Sequence, residues 1–332
     1  MACVVWGFGL VIGIVASEIQ LELQHLAPEQ TLLVGISGGR DSMCLLDLLQ
    51  NLGFSKLVVV HVNHGLRAES ADADEALVRN RCAELGLECH VEQADVAALM
   101  ERERWGLEKA ARVARHEAFA RAAELYQTSS VLLAHHADDQ AETVLFNLMR
   151  GSYGLKAMQW RSEMLALGKT LVIYRPLLAV RRCDITEYME HRGLEFREDE
   201  TNAEAITARN RIRNEALPLL ADIMQRDVVA ALNVAAEMSA ELQDFSETQG
   251  ASLASVLDPQ GRIHLPSFRQ LHRVEQSRLM HQFLQQSGVQ DLRRATVLEC
   301  LQLCYSEAVA KCNLPGAAWL RRREQRIFVE RG

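Results

Sequence analysis

The run Thr31-Leu-Leu-Val-Gly-Ile-Ser-Gly-Gly-Arg-Asp-Ser42 decides how the chain is read. Leu32 to Ile36 is a short apolar stretch, the pattern of a parallel strand covered on both faces. Ser37, Gly38 and Gly39 then remove side-chain bulk where the chain must bend, and Asp41 and Ser42 open an amphipathic helix, Met43 to Leu52. A strand, a small-residue turn and a helix N-terminus make an anion site, because backbone N–H groups and the helix dipole point into the turn. Ser37 and Ser42 add hydroxyl donors for phosphate oxygens. Asp41 would repel bare phosphate, so it makes sense only if a metal ion bridges it to a nucleotide. The run lacks the Gly-Lys-Ser/Thr end of a P-loop and the G-x-G-x-x-G spacing of a dinucleotide site. An ordinary βα turn, with Asp41 and Ser42 merely capping a helix, leaves two glycines and four polar side chains in one turn without a reason.

A second buried strand follows at Lys56–Val62, a more polar third at Glu88–Gln93, and further strands at Val131–Ala134 and Leu171–Tyr174, with helices at Glu69–Leu85 and Leu107–Tyr126. Strands alternating with helices in this way imply an α/β fold, a doubly wound parallel five-stranded sheet. The second strand ends in Asn63-His64-Gly65-Leu66-Arg67, polar groups at the edge where open α/β sheets bind ligands. On the long helix, Arg112 and Arg115 share a face with Glu108. The fourth strand runs into His135-His136-Ala137-Asp138-Asp139-Gln140-Ala141-Glu142. Helix capping explains one carboxylate there, not two histidines and three acids within eight residues. Acids so placed could hold Mg2+ or recognise an ammonium group. Arg209, Arg211 and Arg213 open a later helix at alternate positions, so at least one should turn inward to an acidic or phosphate partner.

The 332 residues suffice for a full α/β domain, residues 17–220, and a second, smaller one, residues 221–332, mostly helical and ending in short strands. A 48% hydrophobic and 24% charged composition is that of a soluble globular protein. The eight cysteines include no C-x-x-C, and Cys300 and Cys304 read as small apolar packing residues in a reducing compartment, which disfavours structural zinc or an iron–sulfur cluster. The formal charge is −8, yet residues 260–331 carry 12 Arg and Lys against six Asp and Glu. A basic C-terminal third on an acidic body is a candidate phosphate-backbone footprint.

The Ser-Gly-Gly-x-Asp-Ser run resembles the loop of the PP-loop ATP pyrophosphatases, the adenine nucleotide alpha hydrolase-like fold. Several separated segments look like one family among them, the tRNA(Ile)-lysidine synthetases: Val62–Arg67, Leu107–Arg115, Ala134–Thr143, Arg150-Gly-Ser152, Arg175-Pro-Leu-Leu178, Glu198-Asp199 with Thr201-Asn202, and Arg209–Arg213 with Leu217–Leu220. The resemblance implies a cytoplasmic, ATP- and Mg2+-dependent ligase. It adenylates the C2 oxygen of the wobble cytidine of CAU-anticodon isoleucine tRNA, then joins free L-lysine to C2 and releases AMP. On that reading Ser37, Gly38, Gly39, Arg40, Asp41 and Ser42 bind ATP, and Asp41 and Asp138 hold the metal. Arg112 and Arg115 stabilise charge at the α-phosphate, His135 is the base, and Asp139 or Glu142 holds the lysine ammonium. His64, Arg67, Asn202, Arg209, Arg211 and Arg213 bind the adenylated cytidine or tRNA. A homodimer is compatible with this reading, and no membrane partner is implied. The rival readings are a tRNA thiolase, which would want paired cysteines near the site, an amidating synthetase, which would want an ammonia source, and a nucleotide-binding regulatory module, which would not need the acid–histidine cluster.

Residues 2–16 are nearly all apolar but fall short of the ~20 needed to span a bilayer, and they lack a basic n-region. They read as an extension foreign to the domain. Deleting residues 2–16 is expected to leave activity intact; a folded but inactive truncation would contradict this.

Overall fold

The computed structural model describes residues 19, 23–65, 68–153, 155–197, 207–306 and 310–331. The segment 1–16, Arg67 and Asn202 lie outside the described residues. The chain divides into two compact units, one made of residues up to Gln140 plus Met158–Ala216, the other of Ala141–Ala157 plus Leu217 onward.

In the first unit, β1 (Leu32–Gly35), β2 (Leu57–Asn63), β3 (Glu88–Gln93), β4 (Ser130–Leu132), β5 (Arg161–Ala166) and β6 (Lys169–Tyr174) form one sheet in the order β3-β2-β1-β4-β6-β5. The pairs β2·β3, β1·β2, β1·β4 and β4·β6 are parallel, so the expected doubly wound parallel sheet is present. It gains a sixth strand that the apolar pattern did not signal. Arg-Ser-Glu-Met-Leu-Ala of β5 pairs antiparallel with β6 at the edge, where alternate side chains face solvent and no continuous apolar run is needed. Helices Val96–Glu103 and Arg182–Arg192 were likewise not expected from the pattern.

Leu32, Leu33 and Val34 of β1 are each 0% exposed, as a central strand requires. Ala110, Ala114, Ala118 and Ala122 form a small-residue stripe at helical spacing on the Leu107–Leu125 helix and are buried. Gly35 completes this close approach. A Cβ there would sit 2.7 Å from Leu133 Cδ2 and 2.8 Å from Phe119 Cζ. The strand order reverses between β1 and β4, so the turns that follow these two strands leave the sheet side by side.

Behind the first turn, Asp47 is 4% exposed. Its Oδ2 accepts from Tyr188 Oη at 2.7 Å, Asn51 Nδ2 at 2.9 Å and Arg192 Nε at 3.0 Å, and its Oδ1 from Arg81 at 3.2 Å. This one carboxylate ties helix Arg40–Asn51 to helices Ala68–Leu85 and Arg182–Arg192.

The second unit contains helices Leu217–Met224, Val228–Gln249, Leu265–Arg269, Arg273–Gln286 and Arg294–Tyr305. A four-stranded antiparallel sheet closes it, in the order β7 (Ile263–His264), β10 (Arg326–Arg331), β9 (Ala318–Arg323), β8 (Lys311–Leu314). The helices Leu217–Met224 and Val228–Gln249 are separated where Asp227 caps a new start by accepting from Val229 N and Ala230 N. Cys300 and Cys304 pack in the core beside Phe268 and Phe283, and the seven described cysteines are free thiols.

Because Asp47 is buried among four donors, Asp47→Ala should lower stability by about 3 kcal/mol. Denaturant unfolding of the purified protein checks this; a loss under about 1 kcal/mol would show that the network is incidental.

Candidate active site

The turn after β1 holds its shape by its own side chains. Ser42 Oγ donates to Gly39 O at 2.9 Å, accepts from Ser37 N at 3.2 Å and lies 3.1 Å from Ser37 Oγ. Ser37 Oγ accepts from Gly39 N at 3.2 Å. Gly38 has φ of 89°, in the left-handed region where a Cβ is strained, and its carbonyl accepts from Arg197 N at 3.0 Å. The N-cap of the following helix is Gly39, with no side-chain cap hydrogen bond. Asp41 and Ser42 therefore do not serve as the helix cap.

The turn after β4 lies against it. His136, 1% exposed, places Nε2 at 3.6 Å from Asp41 Oδ2 and 3.5 Å from Asp139 Oδ2, with Nδ1 at 3.8 Å from Asp138 Oδ2. Burial alone would push its pKa down. The close approach of Asp41 and the charges of Asp139 and Asp138 outweigh burial and raise it. Burial likewise acts to raise the Asp41 carboxyl, but His136, Arg182 and Arg40 hold it below its usual value. Asp138 is engaged on both oxygens, accepting from Arg181 Nε and Arg182 N on Oδ2 and from the Arg181 fork on Oδ1. Asp139 accepts from Arg213 at 2.7 Å and from His136 N at 3.1 Å.

His135 behaves oppositely to its neighbour. Burial, reinforced by the charges of Arg175, Arg115 and Arg209 and opposed by Asp139, pushes it down to about 4. Its Nδ1 is buried without a hydrogen-bond partner, as are His64 Nδ1 and Arg115 Nε. Burial and the Arg115 and His61 charges also lower His64.

A cavity of about 670 Å³ opens between the two turns. Gly35, Val60, Phe119 and Leu133 supply an apolar wall, while Ser37, Arg40, Asp41, Ser42, His64, Arg115, His135, Arg182, Arg197 and Arg213 supply polar groups. No cysteine is among its lining residues. Arg213 is the member of its alternating trio that turns inward. Arg211 pairs with Glu215 on the exposed surface, and Arg209 with Glu108 at 3.2 Å. Arg112 is exposed on its helix and does not line the cavity, and Glu142 is 2% exposed.

Comparison with known proteins agrees with this geometry. The PP-loop domain model matches residues 15–220. A tRNA(Ile)-lysidine synthase from Chlorobaculum tepidum is 33% identical over 273 residues, covering 80% of each chain. The chain belongs to the tRNA(Ile)-lysidine synthase family. A lysidine synthase from Geobacter sulfurreducens is 43% identical over 196 residues, 58% of this chain and 41% of the relative, so the chain spans about two fifths of that longer protein. A solved U34-tRNA thiolase from Methanococcus maripaludis superposes with a TM-score of 0.55 at 16% identity, over 69% of this chain and 80% of its own, a likeness of fold.

In this lysidine synthase family member the site suits a metal–nucleotide complex better than a bare metal. Among the described residues no group of three or more His, Cys, Asp or Glu is arranged to hold an ion. Asp41 Oδ1 is buried and has no protein partner, which fits the way Mg2+ takes one or two carboxylates plus substrate phosphates. Asp138, by contrast, has no oxygen free of Arg181 and Arg182. The sequence reading missed His136 as the hub and missed Arg181, Arg182 and Arg197 altogether. One signal was available: Arg181-Arg182 stand at a helix N-terminus, where the dipole disfavours cations unless anions are close.

Histidine side-chain NMR checks these electrostatics. His135 should stay neutral down to about pH 4, and His136 should keep its proton above the pH at which a free histidine loses it. Both rings titrating together near the free value would contradict the arrangement.

Proposed function

We propose that the chain ligates L-lysine to C2 of the wobble cytidine of CAU-anticodon isoleucine tRNA, cleaving ATP to AMP and pyrophosphate. The observation that carries this is the meeting of the two turns, with Asp41 3.6 Å from His136 and both turns lining one cavity. Membership of the lysidine synthase family supports the substrates. The enzyme would work in the cytoplasm, and no helix among the described residues is long and apolar enough to cross a membrane.

In the first step the cytidine C2 oxygen attacks the α-phosphorus and the bond to the β-phosphate breaks. Backbone N–H groups of the turn from Ser37 to Ser42 take up charge on the departing pyrophosphate. Mg2+, bound through Asp41 and the phosphates, would supply charge neutralisation there. Arg115, half-buried and unpaired at Nε, faces the α-phosphate, while Arg112 acts at longer range. In the second step the lysine ε-nitrogen attacks C2, the C2–O bond breaks and AMP leaves. The attacking nitrogen must shed its protons. His135 is neutral at physiological pH and so can accept one. Its basicity is held low by burial first and then by Arg175, Arg115 and Arg209, and bound phosphate would offset the part due to those cations. Asp139 and Glu142 would hold lysine ammonium charge. His64, Arg209, Arg211 and Arg213 would contact the cytidine or the tRNA backbone, with Arg67 and Asn202 as further candidates.

His135→Ala separates the steps. With tRNA(Ile), ATP and lysine, lysidine formation should fall at least 100-fold while lysine-independent pyrophosphate release falls less than about tenfold. Equal loss of both would remove His135 from the second step, and a wild type that makes no lysidine would refute the function.

A further inference from the structure

The arginines around the cavity are not equivalent. Arg40 donates to Thr186 Oγ1 at 2.7 Å and stacks over Phe196 at 5.4 Å. Arg197 is paired with Asp74, and Arg213 with Asp139. Arg115 and Arg182 differ, because neither guanidinium has a hydrogen-bond or ion-pair partner among the described residues. A cationic side chain kept half-buried without a partner lacks a structural reason and marks a ligand anion. Arg115 lies on the His135 and His64 side of the cavity, since its charge bears on both.

Arg182 lies on the other side, beside the turn after β1, where its charge helps hold the Asp41 carboxyl low. Its backbone is fixed at both ends. Its N–H donates to Asp138 Oδ2 at 2.8 Å, and its carbonyl accepts from Thr186 Oγ1 at 2.9 Å, the hydroxyl that Arg40 also bonds. Arg181, its neighbour, faces away from this task and grips Asp138. The pair thus divides the work: Arg181 clamps the second turn, and the clamp presents an uncommitted Arg182 to the cavity.

We propose that Arg182 is a catalytic residue that contacts the β- and γ-phosphates of ATP and stabilises pyrophosphate as it leaves. This rests on the adenylating reaction proposed above. A planar guanidinium at the N-terminus of helix Arg182–Arg192, lining the same cavity as the turn's own helix N-terminus, makes a two-sided anion clamp. It is matched to the part of ATP that AMP lacks.

Titration calorimetry with Mg2+ present compares ATP, inorganic pyrophosphate and AMP on the wild type and on Arg182→Gln. The variant should bind ATP and pyrophosphate roughly 10- to 100-fold more weakly and AMP within about threefold of wild type. Unchanged pyrophosphate affinity, equal losses for ATP and AMP, or a wild type that does not bind pyrophosphate would overturn the assignment. If Arg182→Gln does not fold, Arg182→Lys carries the same comparison, with a smaller loss for ATP and pyrophosphate and none for AMP; parallel losses again overturn it. Lysidine formation by the wild type is scored separately. A wild type that shows Arg182-dependent pyrophosphate binding yet makes no lysidine sinks the ligase reading and leaves the phosphate contact standing.

Discussion

The site depends on one buried contact, the imidazole of His136 set among the carboxylates of Asp41, Asp138 and Asp139. Three acids this close would repel one another and each would resist ionisation in a partly buried setting. A histidine at their centre, whose protonated form these carboxylates favour against burial, lets them coexist. It also joins two turns that are far apart in sequence but adjacent at the β1·β4 edge. The hydrogen bonds among Ser37, Gly39 and Ser42 shape the first turn, yet its position against the second comes from His136.

Charge around this centre is sorted by commitment. Arg181 and Arg197 are tied to Asp138 and Asp74, so they build the walls, while Arg213 is tied to Asp139 and, like Arg197, also lines the cavity. Arg115 and Arg182 are left for substrate. Burial, reinforced by the charge of Arg115, disfavours the protonated forms of His135 and His64, while the charge of Arg182 bears on Asp41. A triphosphate entering the cavity would offset the part due to Arg115. Binding energy from the phosphates is then available to restore that part of the basicity at His135 once nucleotide is in place.

Much of this was legible in the residues. Ser37 to Ser42 and His135 to Glu142 announce themselves because turn chemistry and anion binding are local matters, settled by side-chain size and type over a few positions. The inner parallel strands show as apolar runs, whereas β3 at the sheet edge is more polar. What stayed hidden depends on distance in space. His135 and His136 are adjacent in sequence, and only the meeting of β1 with β4 makes one a hub and leaves the other a neutral ring beside arginines. Whether Asp138 faces a metal or an arginine was likewise set by Arg181, 43 residues along the chain. The β5 strand escaped notice because an edge strand with alternating exposure has no need of an apolar run. Asp47, inside an otherwise apolar helix, gave a sign of a buried network but not of its partners.

The central claim is that the two turns together hold ATP so that it breaks between the α- and β-phosphates onto RNA. The direct measurement is the fate of label when the protein, CAU-anticodon tRNA(Ile) and ATP labelled at either the α- or the γ-phosphate are mixed without lysine and quenched. The account predicts label on the tRNA from α-labelled ATP only, discharged as AMP when lysine is added. Label arriving from the γ-phosphate, or release of ADP in place of AMP, would contradict it.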